Sequence, residues 1–305
     1  MNAVTTTPQA HGGPESTAVV SSAARARKRL SSPGASTAAI IIAVLWTLPT
    51  FGLLLSSFRP EDDIKGNGWW NWFTDPELTF ESYREVLFGS QTELSTYVVN
   101  SIAITVPSVV IPVTLALLAA YAFAWMRFPF RDSLFVAMFA LQIVPIQIAL
   151  VPLLQIFVDV GLNGTFWPLW IAHSTFALPL AIYLLHNFMR DVPAELVEAA
   201  RVDGAGHVKI FGTIMLPLIM PAIAAFCVFQ FLWVWNDLLV ALTFAGSTSD
   251  VAPLTARIAE LVGTRGTEWH LLSAGAFVSM VIPVIVFLGL QRFFVRGLLA
   301  GSVKG

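Results

Sequence analysis

An all-α integral membrane protein, with six transmembrane helices and both ends on the cytoplasmic side, is the fold class this sequence predicts. Three observations carry the prediction. The 305 residues are 56% hydrophobic and only 12% charged, with mean hydropathy of +0.73, a balance foreign to soluble domains. Apolar runs of about twenty residues, the length that crosses a bilayer as a helix, recur between short polar segments. Basic residues gather in alternate polar segments, the pattern that orients bacterial membrane proteins. A net charge of −2 gives no electrostatic footing for nucleic-acid binding.

Residues 1–36 are rich in Ser, Thr, Ala, Gly and Pro without apolar periodicity, and read as a disordered cytoplasmic tail. Arg25, Arg27, Lys28 and Arg29 precede the first apolar run. A cleaved signal peptide would also begin that way, but this run is too long and lacks a small-x-small cleavage site. The six-span domain, 37–305, therefore opens on a retained span. The spans fall at roughly 38–57, 97–125, 133–156, 165–188, 213–243 and 272–295, the fifth with a break expected near Pro217 and Pro221. Inner segments then hold Arg25, Arg27, Lys28, Arg29, Arg127, Arg131, Arg190, Arg201, Lys209, Arg292, Arg296 and Lys304. Outer segments hold only Arg59, Lys65, Arg84, Arg257 and Arg265. Both termini, the loop 191–212 and the tail 296–305 are thereby assigned to the cytoplasm.

The outer loop at 58–96 combines aromatic residues suited to the headgroup boundary, Trp69, Trp70, Trp72, Phe73 and Phe80, with many acids. Within it, 79–89 reads as an amphipathic helix with Thr79 as cap, steadying the first two spans or, as the alternative, taking a direct binding role. The second outer loop, 246–271, is open to an external partner. Prolines lie in most spans: Pro107, Pro112, Pro145, Pro152, Pro168, Pro179 and Pro283. Each removes a backbone hydrogen bond that lipid cannot replace, as happens in helices that enclose a cavity and equally in static bundles. The lone Cys227 sits in an apolar run and reads as packing, and the scattered His173, His186, His207 and His270 have no metal-ligand spacing.

Polar residues within spans are candidates for a translocation pathway. Asn236 and Asp237 lie in FLWVWNDLLVAL beside Trp233, where rings next to Asn and Asp suit sugars. Gln142 and Gln147 in the third span and Asn100 in the second join them, although glutamines more commonly hold helices together. No G-x-x-x-x-G-K-[ST] occurs, so no P-loop nucleotide site is encoded here. There is no inverted repeat or spread ionisable relay, which weighs against an ion-coupled secondary transporter.

The most ordered polar stretch is DVPAELVEAARVDGAGHVKIFGTIMLP, residues 191–217. Pro193 suits a helix start, Ala194 to Asp203 favour helix, and Gly204 can end it in the left-handed conformation. Glu198-Ala199-Ala200, three residues, Gly204, nine residues, then Ile214-x-Leu216-Pro217 resembles the EAA loop of binding-protein-dependent ABC importers at every defined position. The N-terminal tail, the six-span layout, Asn100-Ser101, Trp235-Asn236-Asp237 and the ending GLLAGSVKG resemble the smaller membrane subunit of maltose-type sugar importers.

That resemblance, over about 37–305, implies a type I ABC importer fold in the bacterial cytoplasmic membrane. It implies a homologous second permease subunit, two ATPase subunits binding ATP and Mg, and an extracytoplasmic sugar-binding protein. The chain itself would be a transport subunit with no catalytic, cofactor or metal site. Glu195, Glu198, Ala199, Ala200, Asp203 and Gly204 would couple to the ATPase, and Gly301 and Lys304 would reach the interface between ATPase subunits. An EAA-type permease for a non-sugar solute is the alternative, and a secondary transporter without an ATPase the more distant one.

Overall fold

The structure is a computed structural model that describes the backbone of residues 33–89, 93–246, 248–262 and 268–302, and the side chains of those before 292. Most of the expected tail 1–36 lies outside the described residues. The chain falls into two compact units that divide between Leu55 and Ser56. The first consists of most of α1 (Pro33–Ser57), an apolar helix with Pro49 inside it. Thr37 and Thr47 return their hydroxyls to the carbonyls of Pro33 and Ala43 one turn back, at 2.9 and 2.7 Å, which satisfies both hydroxyls within the helix.

Among its described residues the regular secondary structure of the second unit is all helix. Its outer part begins with α2 (Glu61–Gly66), a 3₁₀ turn at Trp69–Phe73 and α3 (Glu81–Phe88). Lys65 donates to Glu61 one turn away, and that bond holds the Glu61 carboxyl below its usual range. The N-cap of α3 is Phe80 rather than the expected Thr79, whose Oγ1 accepts from the Glu81 N–H at 3.1 Å in a local turn just before the helix. Val86 and Ser82 on its inner face are buried. The spans follow as α4 (Leu94–Trp125), α5 (Arg131–Ala140), α6 (Ile146–Asp159) and α7 (Trp167–Arg190). After the short α8 (Ala194–Val202) come α9 (His207–Ile210), α10 (Leu216–Leu218), α11 (Met220–Trp235), α12 (Leu239–Phe244), α13 (Leu254–Val262) and α14 (Trp269–Ser302).

Four of these helices are long and apolar enough to cross a membrane, and the count reaches six when each of two bent pairs is one span. The third expected span, 133–156, is one such pair: α5 and α6 meet at 98° through a 3₁₀ turn, Leu141–Ile143. Pro145 explains the break, because its ring drives Val144 out of the helical region to φ −70°, ψ 120°. The fifth, 213–243, starts earlier, at His207, and bends by 73° between Leu218 and Met220 where Pro217 and Pro221 deny N–H donors. The sequence anticipates that bend. It does not anticipate the second interruption, at 236–238, which separates α11 from α12. Helix α14 runs from Trp269 to Ser302, so the expected tail at 296–305 continues the sixth span as helix through Ser302.

Helices α4 and α7 form the most extensive pair, with α11 packed on α4 and α14 on α11. Prolines dictate how they lock together. Pro107, Pro112 and Pro283 lack the N–H that would bond the carbonyls of Ala103, Ser108 and Ser279, four residues back. A side chain from another helix reaches each: Trp170 Nε1 donates to Ala103 at 2.9 Å, Gln230 Nε2 to Ser108 at 3.1 Å and Trp235 Nε1 to Ser279 at 3.0 Å. These are α7 to α4, α11 to α4 and α11 to α14. Every proline gap in α4 thus becomes a cross-helix bond in a medium without water.

Trp170→Phe keeps the ring and removes the donor, and is expected to cost about 1–3 kcal/mol by stranding the Ala103 carbonyl. In a Pro107→Ala background, where position 107 regains a backbone N–H to donate, the same change is expected to cost much less. Thermal unfolding midpoints of the four purified proteins measure this coupling; equal losses in both backgrounds would refute it.

Candidate functional site

The cytoplasmic helix forms as its sequence dictates. Pro193 occupies the N-cap with φ −55°, ψ 130°, and α8 ends at Gly204, whose φ of +77° is left-handed. The Gly204 N–H bonds the Arg201 carbonyl at 3.0 Å and the Ala205 N–H bonds the Ala200 carbonyl at 2.9 Å, the paired bonds of a Schellman motif. Val197 is fully buried, and Ala200 and Ala205 pack beside it on a cluster containing Leu185, Met189, Val192 and Ile210. The opposite face, with Glu195, Glu198, Ala199 and Asp203, is exposed.

Two further bonds fix this loop to the bundle. Trp125 Nε1, at the end of α4, donates to the Met189 carbonyl at 3.1 Å, the group that Pro193 cannot reach. The Tyr121 hydroxyl meets His207 Nδ1 at 3.0 Å, and its ring lies 5.3 Å from that of Phe211. The segments on either side of α8 are thus tied to α4, Met189 by Trp125 and His207 by Tyr121. Beside the acids, Val202 and Val208 are 88% and 87% exposed, an apolar surface in water. Sequence reasoning passes over them, although valines in a polar loop are a visible signal.

A second feature lies within the membrane. The α5–α6 bend, the middle of α7 and one side of α11 border a partly open cavity of about 560 Å³. Phe176, Phe229 and Trp233 give it aromatic walls, and Gln142, Thr175 and Gln230 its polar groups. Its lining carries no ionisable side chain. Above it, the His173 ring meets Trp233 edge-on at 5.4 Å between centroids, and His173 Nε2 lies 3.8 Å from Asp237 Oδ2.

Of the residues singled out for a pathway, Trp233 and Gln142 line this cavity. Gln147 is exposed on α6. Asn236 and Asp237 sit in the break after α11. Asn236 Nδ2 donates back to the Leu232 carbonyl at 2.8 Å, while Asp237 accepts from the N–H groups of Val240 at 3.3 Å and Ala241 at 2.9 Å. One closes the end of α11 and the other opens α12. Asn100 is buried and donates to the carbonyls of Ser249 and Ala252 at 2.8 and 3.1 Å, and Ser101 Oγ accepts from the Leu254 N–H at 2.8 Å. Together they moor the second outer loop to α4. Gly301 lies in the last turn of α14, and Lys304 lies outside the described residues.

Comparison with known proteins bears on both features. Residues 86–299 match the model of the binding-protein-dependent transport system inner membrane component family, spanning the cavity and α8 alike. The chain belongs to that family. It is a multi-pass permease subunit of the bacterial cytoplasmic membrane. The permease is 53% identical over 271 residues to the osmoprotective compounds uptake permease protein GgtD of Synechocystis sp., covering 88% of this chain and 90% of that one. It is 50% identical over 237 residues to the α-glucoside transport system permease protein AglG of Rhizobium meliloti, covering 76% of this chain and 62% of that protein's length. Its fold matches a crystal structure of a bacterial ABC transporter involved in import of the acidic polysaccharide alginate, with a TM-score of 0.62 at 16% identity, over 89% of this chain and 99% of that one. The fold is that of an ABC importer permease.

Sequence reasoning misses Gln230, Thr175 and Pro179 as lining residues of the permease, because which face of α7 and α11 meets a cavity depends on the α5–α6 bend. Two outcomes follow from the geometry. Gly204→Ala puts a Cβ on a left-handed residue and is expected to cost about 1 kcal/mol, whereas Gly204→Asn should be milder. Hydrogen exchange at the Gly204 and Ala205 amides reads the difference. Asn100→Leu should release the 248–254 segment, so that limited proteolysis cuts there in the variant but not in the parent; equal resistance would show that the loop is held otherwise.

Proposed function

We propose that this permease carries a neutral sugar, an oligosaccharide or disaccharide, across the cytoplasmic membrane as part of an ATP-driven importer. The observation that carries the reading is the uncharged cavity of about 560 Å³ whose lining includes Trp233, Phe176 and Phe229 together with Gln142 and Thr175. Aromatic faces accept the C–H surfaces of a sugar ring, and amide and hydroxyl groups accept or donate to its hydroxyls. The α-glucoside permease at 50% identity supports the same substrate class.

In this reading a binding protein delivers the sugar to the outer mouth, where the loop moored by Asn100 and Ser101 receives it. A homologous second permease supplies the other wall. Two ATPase subunits bind ATP and Mg, hydrolyse the nucleotide and close on the exposed face of α8. Glu198 and Glu195 meet basic or amide donors there, Ala199 allows close approach, and Val202 adds apolar contact. The Schellman motif at Gly204 holds the helix rigid against α4 and α7. Gly301 and Lys304 would reach the interface between the ATPase subunits. Nucleotide and loaded binding protein each shift the equilibrium between inward- and outward-open states. This chain needs no cofactor of its own.

Uptake of a non-sugar osmoprotective solute is the second reading, favoured by the 53% identity to an osmoprotective compounds permease. Family membership sets aside a secondary transporter. Mild-detergent purification of the tagged chain is expected to bring a second permease, an ATPase in double dose and a binding protein whose ligand preference separates sugar from other solutes. Glu198→Lys is expected to reduce coupled uptake in proteoliposomes to background while the protein inserts normally, because the docking face loses its charge. ATPase activity that still rises with loaded binding protein in that variant would sink the coupling assignment.

A further inference from the structure

Pro179 lies inside α7 and is buried, and its missing N–H frees the carbonyl of Thr175 four residues back. The freed carbonyls of Ala103, Ser108 and Ser279 each receive a side-chain donor from another helix. Among the described residues no side chain donates to the Thr175 carbonyl. Thr175 and Pro179 instead both line the cavity. Residues four apart share a helix face, and a helical carbonyl points along the axis toward the residue four ahead. The freed oxygen therefore opens into the cavity, between the Thr175 side chain and the Pro179 ring.

We propose that the Thr175 carbonyl is a binding position for a substrate hydroxyl, and that Pro179 is the specificity determinant that exposes it. The proposal rests on the sugar reading above and names one contact within it. A carbonyl only accepts, so it demands a donor. Sugar hydroxyls supply one, while the C–H face of the same ring meets Trp233 or Phe176. A solute without donors would leave the oxygen desolvated and unpaired, so the site would reject it. Because the acceptor belongs to the backbone, no side-chain survey of the sequence would find it.

The test uses the intact importer, with its partner permease and ATPase subunits, in lipid nanodiscs without binding protein. Saturation-transfer NMR titrations compare trehalose and maltose with their monodeoxy analogues. One analogue is expected to bind about threefold to tenfold more weakly than its parent sugar, the worth of one neutral hydrogen bond. In Pro179→Ala the N–H restored at position 179 re-forms the helix bond to Thr175, and that one preference should disappear while the others persist. Thr175→Val, which keeps the carbonyl and removes the hydroxyl, should retain it. Unchanged preference in Pro179→Ala overturns the proposal. So does equal weakening of parent and all analogues, which would mean a reshaped cavity, or loss of preference in Thr175→Val alone, which would assign the contact to the hydroxyl. An unaltered importer that binds neither sugar overturns the sugar reading itself and this contact with it, whereas intact sugar binding with an unchanged preference in Pro179→Ala overturns the carbonyl assignment alone.

Discussion

A carbonyl without a donor is costly in hydrocarbon, and this protein puts prolines where they create such carbonyls. The bonds from Trp170, Gln230 and Trp235 to the freed oxygens tie α4 to α7 and α11, and α11 to α14. Between apolar helices surrounded by lipid there is little hydrophobic force to choose one packing over another. A donor that fits only one carbonyl supplies direction and register. At Pro107, Pro112 and Pro283 the packing is specified by the gap each proline leaves and the side chain that fills it.

The same chemistry makes the cavity. Pro145 breaks the third span, and Pro217 and Pro221 bend the fifth. The turned segments stand away from α7 and leave space between them lined by Trp233 and Gln142. A proline gap filled from within becomes a strut. The gap at Pro179 faces the open space and stays available to whatever enters.

The cytoplasmic helix obeys the opposite logic. Water surrounds it, so local capping suffices: Gly204 and the paired Schellman bonds terminate α8, and Val197 seats it. Its exposed acids and valines are held at a fixed angle to α4 and α7 by Trp125 and the Tyr121–His207 contact. Of these two helices, α7 also lines the cavity.

Composition and the spacing of basic residues were enough to yield a membrane bundle with its cytoplasmic side assigned, because span length and charge asymmetry are properties of the chain alone. The EAA spacing and Gly204 located α8 and its end for the same reason: capping is local. The bend near Pro217 and Pro221 was legible too. Hidden were the break at Pro145 and the one at 236–238, since a proline or an Asn-Asp pair in an apolar run fits a kink, a cap or a pathway equally well until its partners are known. Asn100, Asn236 and Asp237 look like pathway groups in the sequence, and in the fold their side chains are engaged by backbone. Gln230 and Trp170 look unremarkable, and they hold the bundle. Whether a polar group in a membrane is a strut or a binding position depends on which carbonyl or cavity lies across from it, and only the tertiary structure brings those together.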